Sequence, residues 1–251
     1  MRIRTSVLAF LAVFAFSAVA ASTASAKRVW TVNGVTLPTG TTKSLTVIKN
    51  SPATLKAGTE EIECKTIKLK TGNTIENVLV EGKGPTGRDT GTTEFSECKN
   101  VKKAGCVVTV PILVNSPTSL VENTAGTKIY DLFRPEGRTE LKPAEVTAKG
   151  EPASKEAEEK LSKYTTIKQT GAGCVAATTV EGDGVAAEIK PTEGEEVKHK
   201  FVFPCPPISP VNMWNGVKEV SLKLKAFGVK AEECISEIEV ELTTKEKFGV
   251  K

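Results

Sequence analysis

Histidine is almost missing from this chain, aspartate is scarce, and aromatic residues make up only 5% of it. A single histidine, His199, and three aspartates, Asp89, Asp131 and Asp183, stand against a large excess of glutamate. Nucleophilic triads and metal centres draw on His and Asp, so this balance points away from both. No catalytic residue, metal ligand or cofactor is assigned from the sequence. Few aromatics mean a core built mainly from Val, Ile, Leu and Ala. Basic clusters are missing too. The formal net charge of +4 falls to +2 without Arg2 and Arg4, which gives no electrostatic case for a nucleic-acid partner. Long apolar runs are limited to one, Val7–Ala21, about 15 residues and short of the ~20 that a spanning helix needs.

That one run sits between Met-Arg-Ile-Arg and Ala24-Ser25-Ala26. A positive start, a short apolar middle and a small-x-small end predict a secretory signal peptide over 1–26, with Lys27 as the mature N-terminus. The expected location is therefore secreted and extracellular, with no membrane span after cleavage. No cysteine lies near the cleavage point, Arg2 and Arg4 are not adjacent, and Leu37-Pro38-Thr39-Gly40 is an incomplete sortase-like string at the wrong end. Lipoprotein, twin-arginine and cell-wall-sorting signals are thus not expected.

Residues 27–251 read as β. Threonine and valine favour strands. Asn33-Gly34 between short β-prone runs predicts a type I′ hairpin. In Glu60–Lys70 the apolar parity flips between Ile62/Cys64 and Ile67/Leu69, which predicts a bulge or bend. Gly82–Gly91 reads as a glycine-rich loop, and Cys106–Val114 as a strand buried on both faces. Cys174–Val180 and Val185–Ile189 form a hairpin candidate about Gly182-Asp183-Gly184. Val220–Ala226 and Ser236–Leu242 alternate cleanly. Pairing them would set Lys223 and Lys225 against Glu237, Glu239 and Glu241. Only Glu151–Tyr164 breaks the pattern: Pro152, apolar residues every fourth position and Glu156→Lys160 predict one short surface helix. The expected fold is all-β: an antiparallel, barrel-like or sandwich domain, disulfide-stapled, with that single helix.

The six cysteines, Cys64, Cys98, Cys106, Cys174, Cys205 and Cys234, allow fifteen pairings, and the sequence does not choose among them. In an exported chain they are expected to form disulfides. Three precede the helical segment and three follow it, so full pairing requires at least one bridge between the pseudo-halves 27–142 and 166–251. That argues for a single domain over 27–251. Trp30 before Asn33-Gly34-Val35 and Trp214 before Asn215-Gly216-Val217 echo one another, as a duplication or as ordinary hairpin recurrence.

Phe95-Ser-Glu-Cys98 with Gly105-Cys106-Val107, Tyr130-Asp-Leu-Phe133 with Pro135, and Glu239-Val-Glu-Leu242 with Phe248-Gly249 resemble a loose group of secreted actinobacterial proteins to which no activity is attached. The resemblance implies export and a β-rich fold, and brings no ligand or site residue.

Gly82-Lys-Gly84-Pro-Thr-Gly87 has dinucleotide-loop spacing but lacks the following helix. His199 reads as a buried or rim histidine, the glutamates of Ser236–Leu242 as a solvated face, and Asp183 as a turn residue. Trp30 and Trp214 are the ligand-binding candidates, because exposed tryptophans stack on sugars and apolar ligands; the competing role is core packing. The expected function is a non-catalytic extracellular binding or structural module, with a polysaccharide or cell-wall component as partner. The alternative is a carrier of an apolar small molecule in a barrel lumen, and a third reading is a glutamate-based hydrolase. A polysaccharide binder needs an exposed tryptophan, a carrier needs an apolar cavity, and a glycosidase needs two inward carboxylates about 5–10 Å apart.

Overall fold

The computed structural model describes residues 28–70, 72–80, 84–123, 125–135, 163–182, 184–190, 194–209, 211–213, 219–220 and 222–251. The expected signal peptide, Asp183, Trp214 and positions 151–162 of the expected helix lie outside them. The last two residues assigned to that helix, Lys163 and Tyr164, begin a strand.

Among the described residues the protein is all-β, with no helix. The strands in chain order are β1 (Trp30–Val32), β2 (Val35–Thr36), β3 (Thr42–Asn50), β4 (Ala53–Ala57), β5 (Glu60–Leu69), β6 (Thr74–Val80) and β7 (Gly84–Thr90). There follow β8 (Thr92–Asn100), β9 (Val107–Val108), β10 (Ile112–Asn115), β11 (Thr118–Asn123), β12 (Ile129–Phe133), β13 (Lys163–Thr170) and β14 (Ala177–Gly182). The last seven are β15 (Val185–Lys190), β16 (Lys198–Phe203), β17 (Val211–Met213), β18 (Glu219–Val220), β19 (Leu224–Ala226), β20 (Val229–Leu242) and β21 (Phe248–Val250).

Strand β20, 14 residues long, is the spine of a curled antiparallel sheet. On one flank its first half pairs with β4 (Ala231↔Ala57 to Ile235↔Ala53) and its second half with β3 (Ile238↔Asn50 to Leu242↔Leu45). On the other flank β19 and then β16 take the same two halves. From the first half the ladders run β4–β5–β8–β10 one way and β19–β14–β13–β9 the other. Because β9 and β10 belong to one continuous stretch, these ladders return on themselves. Buried polar groups stitch the seam: Asn100 Nδ2 donates to Glu60 Oε2 (2.7 Å) and Gln169 Oε1 (3.0 Å), linking β8, β5 and β13. From the second half the ladders run β3–β6–β7 and β16–β15–β12–β11–β17–β18.

β7 and β11 lie against one another, and a small sheet, β2-β1-β21, packs beside them with β1 against β6 and β7. The Asn33-Gly34 hairpin forms as expected: both residues have positive φ, 50° and 78°, and Val32 pairs with Val35. It carries Trp30 into the junction, where Gly87 N–H donates to the Arg28 carbonyl (2.7 Å) and the Trp30 indole N–H to the Arg88 carbonyl (3.1 Å).

Several local expectations change. The expected loop Gly82–Gly91 contains strand β7, paired with β6 from Thr74↔Thr90 to Val80↔Gly84. Its glycine serves packing rather than a turn: a Cβ on Gly87 would stand 2.3 Å from Leu120 Cδ1. Cys106–Val114 is not buried on both faces. It splits at Pro111 into β9 and β10, and leaves Val107 and Leu113 65% and 45% exposed. β14 and β15 are not a hairpin. They lie end to end, β14 on β13 and β19, β15 on β12 and β16.

The lysine–glutamate ladder exists with other partners. Glu237 bridges Lys49 (3.0 Å) and Lys200 (3.2 Å), and Glu239 meets Lys198 (3.4 Å), so β3 and β16 supply the lysines. β19 instead closes onto β20 through a tight turn with positive φ at Phe227 and Gly228. The parity flip in β5 is present, but no residue is inserted. β8 flips with it at Glu97 (φ 53°), so Cys64, Cys98, Ile67 and Phe95 keep their opposite positions.

All six cysteines are bridged: Cys64–Cys98, Cys106–Cys174 and Cys205–Cys234. Cys106–Cys174 is the expected link between the N- and C-terminal parts. The interior holds two large apolar clusters, besides a small one of Val121, Tyr130, Leu132 and Ala186. One gathers Trp30, Leu120, Phe201, Phe203, Leu242 and Phe248. The other gathers smaller side chains about Ile62, Cys64, Ile112, Ile167 and Val180.

Candidate functional site

Between the two clusters, inside the curl of the sheet, lies a cavity of about 140 Å³. It follows from the strand alternation. The strands of the curl present apolar side chains inward: Leu45 and Val47 on β3, Leu55 on β4, Ile62 and Ile67 on β5, Ile112 and Val114 on β10, Val180 on β14, Phe201 and Phe203 on β16. Small or β-branched side chains at this level do not meet across the middle. A space of roughly 150 Å³ with aliphatic and aromatic walls stays dry and accepts a molecule the size of benzene.

Two carboxyl groups interrupt the apolar wall, Glu233 and Asp89. Glu233 lies on β20 between Ala231 and Ile235, both buried and inward, with Leu55 opposite. It has no hydrogen-bond or ionic partner among the described residues. By surface area it is half-buried, yet its surroundings desolvate it strongly, and burial pushes its pKa up to about 7. The cavity reconciles the two observations, since the surface that Glu233 keeps belongs to the cavity wall rather than to the outside of the protein.

Asp89, on β7, is already engaged. Its N–H donates to Thr118 Oγ1 (2.8 Å), and its carboxyl meets Asp131 of β12. Burial raises both carboxyls, Asp131 well above the usual range, and the charge of Asp89 raises Asp131 further, while the hydrogen bond from Asp131 pulls Asp89 back down. Raised in this way, the Asp131 carboxyl favours its neutral form, the form that a fully buried acid can keep.

The sequence candidates fall elsewhere. Trp30 is fully buried. Asn77 pins its backbone, accepting the Trp30 N–H (2.8 Å) and donating to the Trp30 and Leu37 carbonyls (2.9 and 2.7 Å). Its indole packs on Phe248 at 6.2 Å, so Trp30 is a core residue and not a stacking platform. Trp214 lies outside the described residues. His199 is buried, its Nε2 on the Phe248 carbonyl and its ring 4.4 Å from that of Phe248; burial pushes its pKa down. Among the described residues no group of three or more His, Cys, Asp or Glu is placed to hold a metal ion. None of their helices is long and apolar enough to cross a membrane.

Glu233 was detectable in the sequence. Read back from Ile235, the alternation of β20 places Ala231 and Glu233 on the inward face, and an acid there breaks the binary pattern. Nothing in the sequence announces Asp89 and Asp131, which meet only because β7 and β11–β12 close on one another. No protein-family model, no curated protein and no solved structure matches the chain.

Proposed function

We propose that this is an exported, non-catalytic binding module that carries a small apolar molecule inside its curled sheet. The cavity carries this reading: about 140 Å³ walled mainly by aliphatic and aromatic side chains. An empty apolar space costs stability that a natural core avoids by filling, at roughly 24 cal/mol per Å³. Keeping the space open makes sense where it has an occupant. Export is supported by the leader-like residues 1–26 and by three disulfides, which persist in oxidising surroundings. The polysaccharide reading loses one of its two tryptophans, because Trp30 is enclosed.

The test is toluene titration followed by two-dimensional NMR, on the wild type and on Val114→Phe. Saturable shifts at residues of β5, β10 and β20 are expected, with at least tenfold weaker binding once the phenyl ring occupies the space. Absence of saturable shifts in the wild type would sink the proposal. A native mass spectrum of protein secreted by its own host would then identify the natural occupant as an added mass on the order of 100 daltons, the size that such a cavity takes.

A further inference from the structure

The cavity wall is chemically one-sided. Among the described residues that line it, the titratable side chains are Glu233, Asp89 and Tyr164, and none is basic. The strands packed around Glu233 add nothing to offset it. The inward residues of β3, β4, β5, β8, β10, β14, β15, β16 and β19 on this wall carry no ionisable group, Cys64 being bridged. The other titratable groups on the wall are Tyr164 on β13 and Asp89 on β7, the latter with Asp131 as its partner. Lys56, the nearest lysine along β4, pairs in register with Glu232 and not with Glu233. Asp89 has Thr118 and Asp131 as partners, so Glu233 is the acid left unpaired at an apolar wall.

A buried carboxyl without a partner is costly to keep. Here a single change to an apolar residue would relieve the cost, and the residue stands on the central strand at the cavity surface. We infer that the cavity binds a small apolar amine, its ammonium group paired with the Glu233 carboxylate and its hydrocarbon body against the walls of β5, β10 and β16. This rests on the small-molecule reading above and names its ligand class. The same arrangement rejects carboxylates: an anion of equal shape would meet Glu233 and Asp89 with no cation to offset it. The high affinity of Glu233 for a proton supports the assignment. Pairing with an ammonium favours the ionised form, so binding near neutrality releases part of a proton to solvent.

The experiment compares three probes of one shape, toluene, benzylamine and benzoate, on the wild type and Glu233→Gln. At pH 8 benzylamine is expected to bind the wild type at least tenfold more tightly than toluene, and benzoate more weakly than toluene. Glu233→Gln is expected to bind benzylamine no more tightly than toluene. Benzylamine stays cationic between pH 6 and 8, so on the wild type its affinity should fall about tenfold as pH drops from 8 to 6. That second readout needs no variant. If toluene binds but benzylamine gains nothing, or if its advantage survives in Glu233→Gln, the Glu233 inference is overturned and the cavity reading stands. If none of the three binds, both fall together.

Discussion

The two halves of β20 run through different interiors. Where β20 ends, at Leu242, the space is full: Trp30, Leu242 and Phe248 are fully buried, and Asn77 is hydrogen-bonded to both Trp30 and Leu37. Around Ala231–Ile235 the residues are smaller, the cavity opens, and an unpaired acid faces it. One strand and one pairing scheme thus give a filled end and a hollow end. The difference lies in side-chain volume and in what holds the walls. Aromatic packing holds the filled end. At the hollow end, Cys64–Cys98 and Cys106–Cys174 tie β5 to β8 and the start of β9 to the chain just after β13. Covalent links replace the contacts that a hollow interior forgoes.

The contrast is broken most directly at Trp30. Trp30→Ala should cost about 3–5 kcal/mol in urea denaturation, since the filled end has nothing to collapse into the void. Removing Cys106–Cys174 by paired alanine substitution should cost about 4 kcal/mol in the chain-entropy model, given its separation of 68 residues. A loss under 1 kcal/mol would mean that the hollow end does not depend on its staples.

Glu233 sharpens the contrast with the opposite sign. Its folded pKa lies above its unfolded value, so the native state holds the proton that the unfolded chain has released. Stability should therefore fall as pH rises from about 4.5 to about 7, by up to roughly 3 kcal/mol from this group. Glu233→Leu should flatten part of that slope and raise the melting temperature at pH 8; the buried Asp89–Asp131 pair keeps the remainder. Smaller still, Gly87→Ala at the filled end should cost about 1–3 kcal/mol, because its Cβ would press on Leu120. An equally conservative Val114→Ile at the cavity should be neutral or stabilising. Equal costs for the two would erase the distinction.

The fold class was readable because alternation is local. The Asn33-Gly34 turn and the parity flip in β5 each needed only neighbouring residues. Partner choice was not readable. Lys223 and Lys225 alternate as well as Lys198 and Lys200 do, yet β19 turns after Ala226 and pairs with Val229–Ala231 instead. β7 escaped because its glycines resemble a loop until Leu120 and Trp30, distant in sequence, are brought against Gly87. The site was half-readable. Glu233 violates a local pattern, whereas the cavity is a property of thirteen strands together.

The central position of β20 also sets an order of events. Leu45 finds its ladder partner in Leu242, and Ala57 finds its partner in Ala231, so the middle of the sheet is joined only across most of the chain's length. Such distant pairings make folding slow and leave strand edges unsatisfied meanwhile. Strands β3 and β4, made early, must wait with one edge open until residues 229–242 arrive. A chain of this design acquires its shape only when nearly all of it is present.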